Sequence, residues 1–139
     1  MSDAMTLNPY LTFNGQCAAA FKFYEQVFGG KTTMSTFGET PMKDQVPADW
    51  RDKVIHAQLV VAGTALLGSD APPPHYTAPQ GFSVSISVDS LADGERIFKA
   101  LADQGNVKMA FQKTFWSPGF GMAIDRFGIP WIVNCEPAP

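Results

Sequence analysis

His56, Asp70 and the alternating run Ser83-Val84-Ser85-Ile86-Ser87 carry the residue types that bear most directly on chemistry. A histidine titrates near neutrality and a carboxylate can hold or release a proton, so His56 and Asp70 are the candidate catalytic groups. His56 has three readings: a hydrogen-bonded histidine within a sheet, a polar group in a pocket, or a metal ligand. Asp70 reads either as a carboxylate capping the turn before Ala71-Pro72 or as a pocket group. The serine run puts small hydroxyls on one side of a strand and Val or Ile on the other. In a packed core such hydroxyls need partners, which a ligand cavity, trapped water or open solvent supplies. Trp116, Phe115, Phe120 and Trp50 fall on or beside loops. Aromatics there wall a mostly apolar pocket, or else cover the core or an interface. His75 follows three prolines and reads as solvated.

Composition excludes several classes of function. Ten Lys and Arg stand against thirteen Asp and Glu, a net charge of −3, so the chain has no basic footprint for nucleic acid. It has no apolar run of about 18 residues to span a membrane. The opening MSDAMTLNPY has neither the basic nor the apolar region of a signal peptide, so a cytoplasmic location is expected. The two cysteines, Cys17 and Cys135, form no CxxC or Cys/His cluster. Free thiols in a reducing compartment are expected, and a structural zinc site is not.

The elements that must position these residues follow from periodicity. The chain has 139 residues, enough for one domain or for two half-size units sharing a core. Tyr10-Leu11-Thr12-Phe13 reads as a strand broken by Asn14-Gly15. Cys17, Ala20, Phe21, Tyr24, Val27 and Phe28 recur at helical spacing, and Gly29-Gly30 stops that helix. Lys31 to Phe37 reads as a strand, residues 38–52 as a long loop, and Val54 to Val61 as a strand. Ala65-Leu66-Leu67 begins the return strand of a hairpin across Ala62-Gly63-Thr64. The proline-rich stretch 71–81 reads as a linker. The same order then returns: strand Phe82 to Val88, a helix capped by Ser90, strand Val107 to Phe111, loop Phe115 to Pro118, and a hairpin across Asp125-Arg126-Phe127-Gly128. The expected fold is therefore α+β, with two βαβββ modules at residues 7–70 and 82–136 in one domain.

Local residues sharpen this plan. Asn8-Pro9-Tyr10-Leu11-Thr12-Phe13-Asn14-Gly15, Phe37-Gly38-Glu39 and Ile55-His56-Ala57 resemble the vicinal oxygen chelate (glyoxalase/bleomycin resistance/dioxygenase) superfamily, in its PhnB-like branch. The most specific match is Thr114-Phe115-Trp116-Ser117-Pro118-Gly119-Phe120-Gly121, followed by Asp125 to Asn134. The resemblance implies curved mixed sheets around a cavity and a homodimer. Members of this branch often carry the label 3-demethylubiquinone-9 3-methyltransferase. No Gly-rich strand-to-helix turn for S-adenosylmethionine supports that label.

In glyoxalase-like members one metal is held from four strands. Strand by strand, the resemblance carries those positions onto Pro9, Gly68, Ser83 and Ile132. None is a His, Asp or Glu, and a divalent ion needs oxygen or imidazole donors at about 2.0–2.2 Å. No metal and no cofactor is therefore expected. The expected ligand pocket comprises Leu11, Phe13, His56, Asp70, Ser83, Ser85, Trp116, Phe120, Ile132 and Asn134. The expected function is binding of a small, partly apolar molecule without the usual metal. The alternatives are a superfamily enzyme (isomerase, lyase, dioxygenase or transferase) with a rebuilt metal or acid–base site, and the methyltransferase of the label.

Overall fold

The computed structural model describes residues 5–72 and 75–137. Two compact units meet in sequence between Thr77 and Ala78, inside the stretch read as a linker. Prolines 73 and 74 of that stretch, and residues 1–4 of the N-terminal tail, lie outside the described residues.

In the first unit, β1 (Tyr10–Phe13) leads to α1 (Cys17–Phe28), then β2 (Lys31–Thr36), β3 (Val54–Val61) and β4 (Thr64–Asp70). The strands form one mixed sheet in the order β1-β4-β3-β2, with β1 parallel to β4 and the other pairs antiparallel. The buried stripe of α1 is Cys17, Ala20, Phe21, Tyr24 and Val27, one face of a helix by spacing. It packs on one face of the sheet, where Leu11, Phe13, Ala57, Leu59 and Leu66 are buried. Phe21 meets Phe13 edge-on at 6.2 Å and Tyr24 at 5.8 Å. Burying a side chain such as Leu or Phe yields about 1.5–3 kcal/mol, whereas an unpaired buried hydroxyl opposes burial. Within β1 that balance turns Leu11 and Phe13 toward the helix and leaves Tyr10 and Thr12 on the opposite face. Gly29 caps the end of the helix, and Gly30 follows in the left-handed region at φ 85°, where a Cβ would run into the Val60 carbonyl oxygen.

Residues 37–53 are more ordered than a plain loop, forming three short 3-10 turns. The Thr36 N–H and hydroxyl both donate to the Glu39 carboxylate, at 2.7 and 3.0 Å. The backbone bond foremost holds the Glu39 carboxyl below its ordinary range. The Gly38 N–H donates to the Arg51 carbonyl at 2.7 Å, closing the loop. Trp50 packs edge-on against buried Phe37 at 6.4 Å, so it serves the loop itself.

The second unit repeats the plan. β5 (Val84–Val88) precedes α2 (Leu91–Ala102), followed by β6 (Asn106–Gln112), β7 (Gly119–Ile124) and β8 (Pro130–Cys135). The sheet order is β5-β8-β7-β6, with β5 parallel to β8. The Ser90 hydroxyl caps α2 by accepting the Asp93 N–H at 3.2 Å. Ile97, Phe98 and Leu101 of α2 are buried, with Trp131, Val133 and Cys135 of β8. β7 offers Gly119, Gly121 and Ala123 to this side, because the helix comes close. A Cβ at Gly121 would lie 2.7 Å from the Phe98 ring, and one at Gly119 would lie 2.5 Å from the Phe111 ring.

Asp125 locks the β7–β8 hairpin. Its Oδ1 accepts the N–H groups of Phe127 and Ile129 at 2.8 and 3.1 Å, and its Oδ2 accepts the Trp131 indole N–H at 2.8 Å. The chain is thus α+β, with two four-stranded mixed sheets and one helix on each. Strand limits shift slightly from the sequence reading: β5 starts at Val84 instead of Phe82, and β6 runs Asn106–Gln112 instead of Val107 to Phe111.

Candidate functional site

Each sheet has one helix and two faces, so the face away from the helix is where side chains remain available. In the second unit, register places two rows across that open face. Ser87, Asn134, Phe120 and Gln112 form one row, and Ser85, Ile132, Met122 and Met109 the other. Neighbouring strands lie about 4.8 Å apart, so each row is a contiguous strip of side chains. Apolar Phe120, Met122 and Ile132 thus sit among small polar groups.

Trp116 borders this patch, its ring 5.2 Å from that of Phe120 and nearly perpendicular to it. A tight turn holds it there. Thr114 Oγ1 accepts the N–H groups of Trp116 and Ser117 at 3.3 and 3.1 Å, and the Thr114 N–H donates to the Ser117 carbonyl at 2.9 Å. The buried Ser117 hydroxyl anchors the turn, 2.7 Å from the carbonyl oxygens of both Gly119 and Cys135. Phe115, edge-on to Trp116 at 4.7 Å, is 97% exposed.

Asn134 is half-buried, and its Oδ1 is buried with no hydrogen-bond partner among the described residues. Its Nδ2 faces Glu136 Oε1 at 3.5 Å. Ser83 precedes β5 and is half-buried outside the ladder.

In the first unit the open face carries Tyr10, Leu67, Gln58 and Thr33 in one row. Thr12 and Ser69 lie alongside, and His56 pairs with Ser35. His56 is exposed, and its ring lies 6.4 Å from that of Tyr10. Leu11, Phe13 and Asp70, selected from sequence as pocket residues, instead lie on the helix side and are buried. The period of two holds in these strands, and the face bearing Leu11, Phe13 and Asp70 is the one turned to the helix. Tyr10, Thr12 and Ser69 take the available positions, and the only sequence signal for them was that same alternation.

Asp70 has a definite role on the helix side. Its Oδ1 accepts the Cys17 N–H at 2.9 Å and its Oδ2 the Val54 N–H at 3.0 Å. Gln16, the residue before α1, makes no side-chain cap. The carboxylate from β4 therefore caps the helix from a distance, where the dipole favours an anion. His56 and Asp70 lie on opposite faces of the sheet and do not meet as an acid–base pair. Cys17 is buried beside Asp70. Burial foremost, and then the carboxylate charge, push its thiol well above the ordinary range.

Of the four positions onto which the resemblance carries metal ligands, Pro9, Gly68, Ser83 and Ile132, none has a carboxylate or imidazole side chain. The Pro9 carbonyl accepts the Leu67 N–H at 3.1 Å. Gly68 faces the helix, where a Cβ would lie 2.6 Å from the Phe21 ring and 2.9 Å from the Leu11 carbonyl oxygen. Any larger side chain there would point into the core. Ile132 offers no donor. Among the described residues, no three His, Cys, Asp or Glu side chains come together. One N–H at each helix start is already taken: the Asp70 carboxylate accepts that of Cys17 in α1, and the Ser90 hydroxyl accepts that of Asp93 in α2.

A shallow recess of about 420 Å³ opens elsewhere on the first unit, between α1 and β2, lined by Ala18, Ala19, Lys22, Glu25, Thr32 and Met34. None of the residues selected from sequence borders it.

The family model described as 3-demethylubiquinone-9 3-methyltransferase matches residues 5–134. The chain belongs to this PhnB-like family. It is 36% identical to protein YjdN of Escherichia coli K12, over 94% of this chain and 95% of that one. The crystal structure of protein PA1353 from Pseudomonas aeruginosa superposes with a TM-score of 0.88 at 48% identity, covering 96% of this chain and 98% of that one. A putative 3-demethylubiquinone-9 3-methyltransferase, the PhnB protein of Bacillus cereus, matches with a TM-score of 0.78 at 20% identity, over 95% and 100% of the two chains. A glyoxylase/bleomycin resistance protein/dioxygenase domain from Frankia sp. EAN1pec shares the fold at a TM-score of 0.64 and 15% identity, over 98% and 100%. The PhnB-like family thus has the glyoxalase/bleomycin resistance fold. Among the described residues no helix is long and apolar enough to cross a membrane.

Replacing Asp70 by Ala leaves the buried N–H groups of Cys17 and Val54 without an acceptor, and is expected to lower unfolding free energy by about 2–4 kcal/mol in urea titration. A change below the noise of that titration would remove the capping role. The Cys17 thiol is protonated and shielded in the folded state, so a disulfide reagent should modify it only after unfolding. Its native proton is held more tightly than that of the unfolded chain. Stability from this group is complete below the ordinary thiol range and declines as pH rises through and above it.

Proposed function

We propose that the protein binds a small, partly apolar molecule on the open face of its second sheet, as a cytoplasmic homodimer. The observation that carries this reading is the mixed face itself. Phe120, Met122 and Ile132 lie in register with Ser85, Ser87 and Asn134, and Trp116 stands against Phe120 at 5.2 Å. Small-molecule sites have this composition: mostly apolar and aromatic area with a few placed polar groups. The reading invokes no divalent ion: Ser83 and Ile132, the positions of this unit onto which the resemblance carries metal ligands, have no carboxylate or imidazole.

A thermal-shift screen over aromatic and aliphatic compounds tests the reading, since a ligand of the native state raises the unfolding midpoint. At least one compound should raise the midpoint of the wild type but not of Trp116→Ala or Phe120→Ala, with no change after dialysis against a chelator. A wide set with no hit, or a hit that needs added metal, would overturn it. Light scattering at micromolar concentration should return the mass of two chains; one chain would remove the dimer.

A further inference from the structure

We infer that the open face of the second sheet selects a flat aromatic ring carrying an N–H donor, neutral or cationic, and that Asn134 is the group that reads it. The inference deepens the binding reading above and rests on it. Asn134 Oδ1 is buried and finds no partner among the described residues. A buried carbonyl-type oxygen left unpaired is disfavoured, so its occurrence on a face otherwise open calls for a donor from outside the chain.

The amide is oriented for that task. Its Nδ2 is turned toward Glu136 Oε1 at 3.5 Å, which leaves Oδ1 as the atom without a partner. Register gives the donor its setting: Phe120 on one side of Asn134 and Ser87 on the other. Phe120 and Trp116 stand nearly perpendicular at 5.2 Å, so a flat ring lying against one meets the edge of the other. The ring therefore rests on Phe120 with its N–H directed across the row to Asn134. The Glu136 carboxylate nearby opposes an anion in the same place, so an aromatic carboxylate is a poor fit.

Indole, 1-methylindole and indole-3-carboxylate serve as probes, since they share a ring and differ in donor or charge. Binding is followed on the wild type by two-dimensional NMR of backbone and Asn side-chain amides. Indole should bind about tenfold more tightly than 1-methylindole, the ratio expected for one lost hydrogen bond. It should shift the Asn134 side-chain amide, and it should exceed indole-3-carboxylate. Asn134→Ala, shown to be folded by its spectrum, should bind the first two probes equally. Asn134→Asp, which keeps an acceptor, should keep the preference. Equal binding of indole and 1-methylindole by the wild type, with both lost in Trp116→Ala, would overturn the donor inference while leaving the binding face in place. Failure of all three probes would overturn it too, and the compound screen would then judge the binding face on its own.

Discussion

One helix cannot cover two faces of a sheet. Each unit of this protein carries four strands and a single helix, and that constraint sorts every strand residue into one of two environments. The helix side takes the large apolar groups, because their burial is the main source of stability. What remains on the other face is whatever the alternation leaves: Tyr10, Thr12 and His56 in the first unit, and Ser85, Phe120 and Asn134 in the second. The candidate site is thus a consequence of how the core is built.

The close approach of helix to sheet shows how strictly that sorting is enforced. Gly68 and Gly121 sit where a methyl group would run into Phe21 and Phe98 respectively. The same approach explains why Gly68, one of the positions onto which the resemblance carries a metal ligand, has no room for a side chain. Its side-chain direction belongs to the core. Asp70, two residues on, points the same way and spends both oxygens on backbone N–H groups. A carboxylate that looks available in the sequence is fully engaged in joining α1 and β3 to β4.

The most specific run of the sequence also has a structural use. Asp125 gathers the N–H groups of Phe127 and Ile129 and the Trp131 indole, so the run from Asp125 to Asn134 fixes the hairpin that carries β8. Thr114 and Ser117 perform the matching task for the turn holding Trp116. These motifs are recognisable because turn geometry admits few residues. Their turns position Asn134 and Trp116.

Element order, the two helices, the eight strands and the family were all legible in the residues, because periods of 3.6 and 2 and turn chemistry are local properties. Ser85, Ile132 and Asn134 share a face by that same local rule. The face of β1 and β4 that the helix would cover was not legible. Tyr10-Leu11-Thr12-Phe13 alternates equally well in either sense, and a four-residue strand contains no mark of its partner. Only tertiary packing decided that Leu11, Phe13 and Asp70 go under α1 and leave Tyr10, Thr12 and Ser69 open. The decision belongs to Phe21 and the glycine beneath it, a contact between residues far apart in the chain.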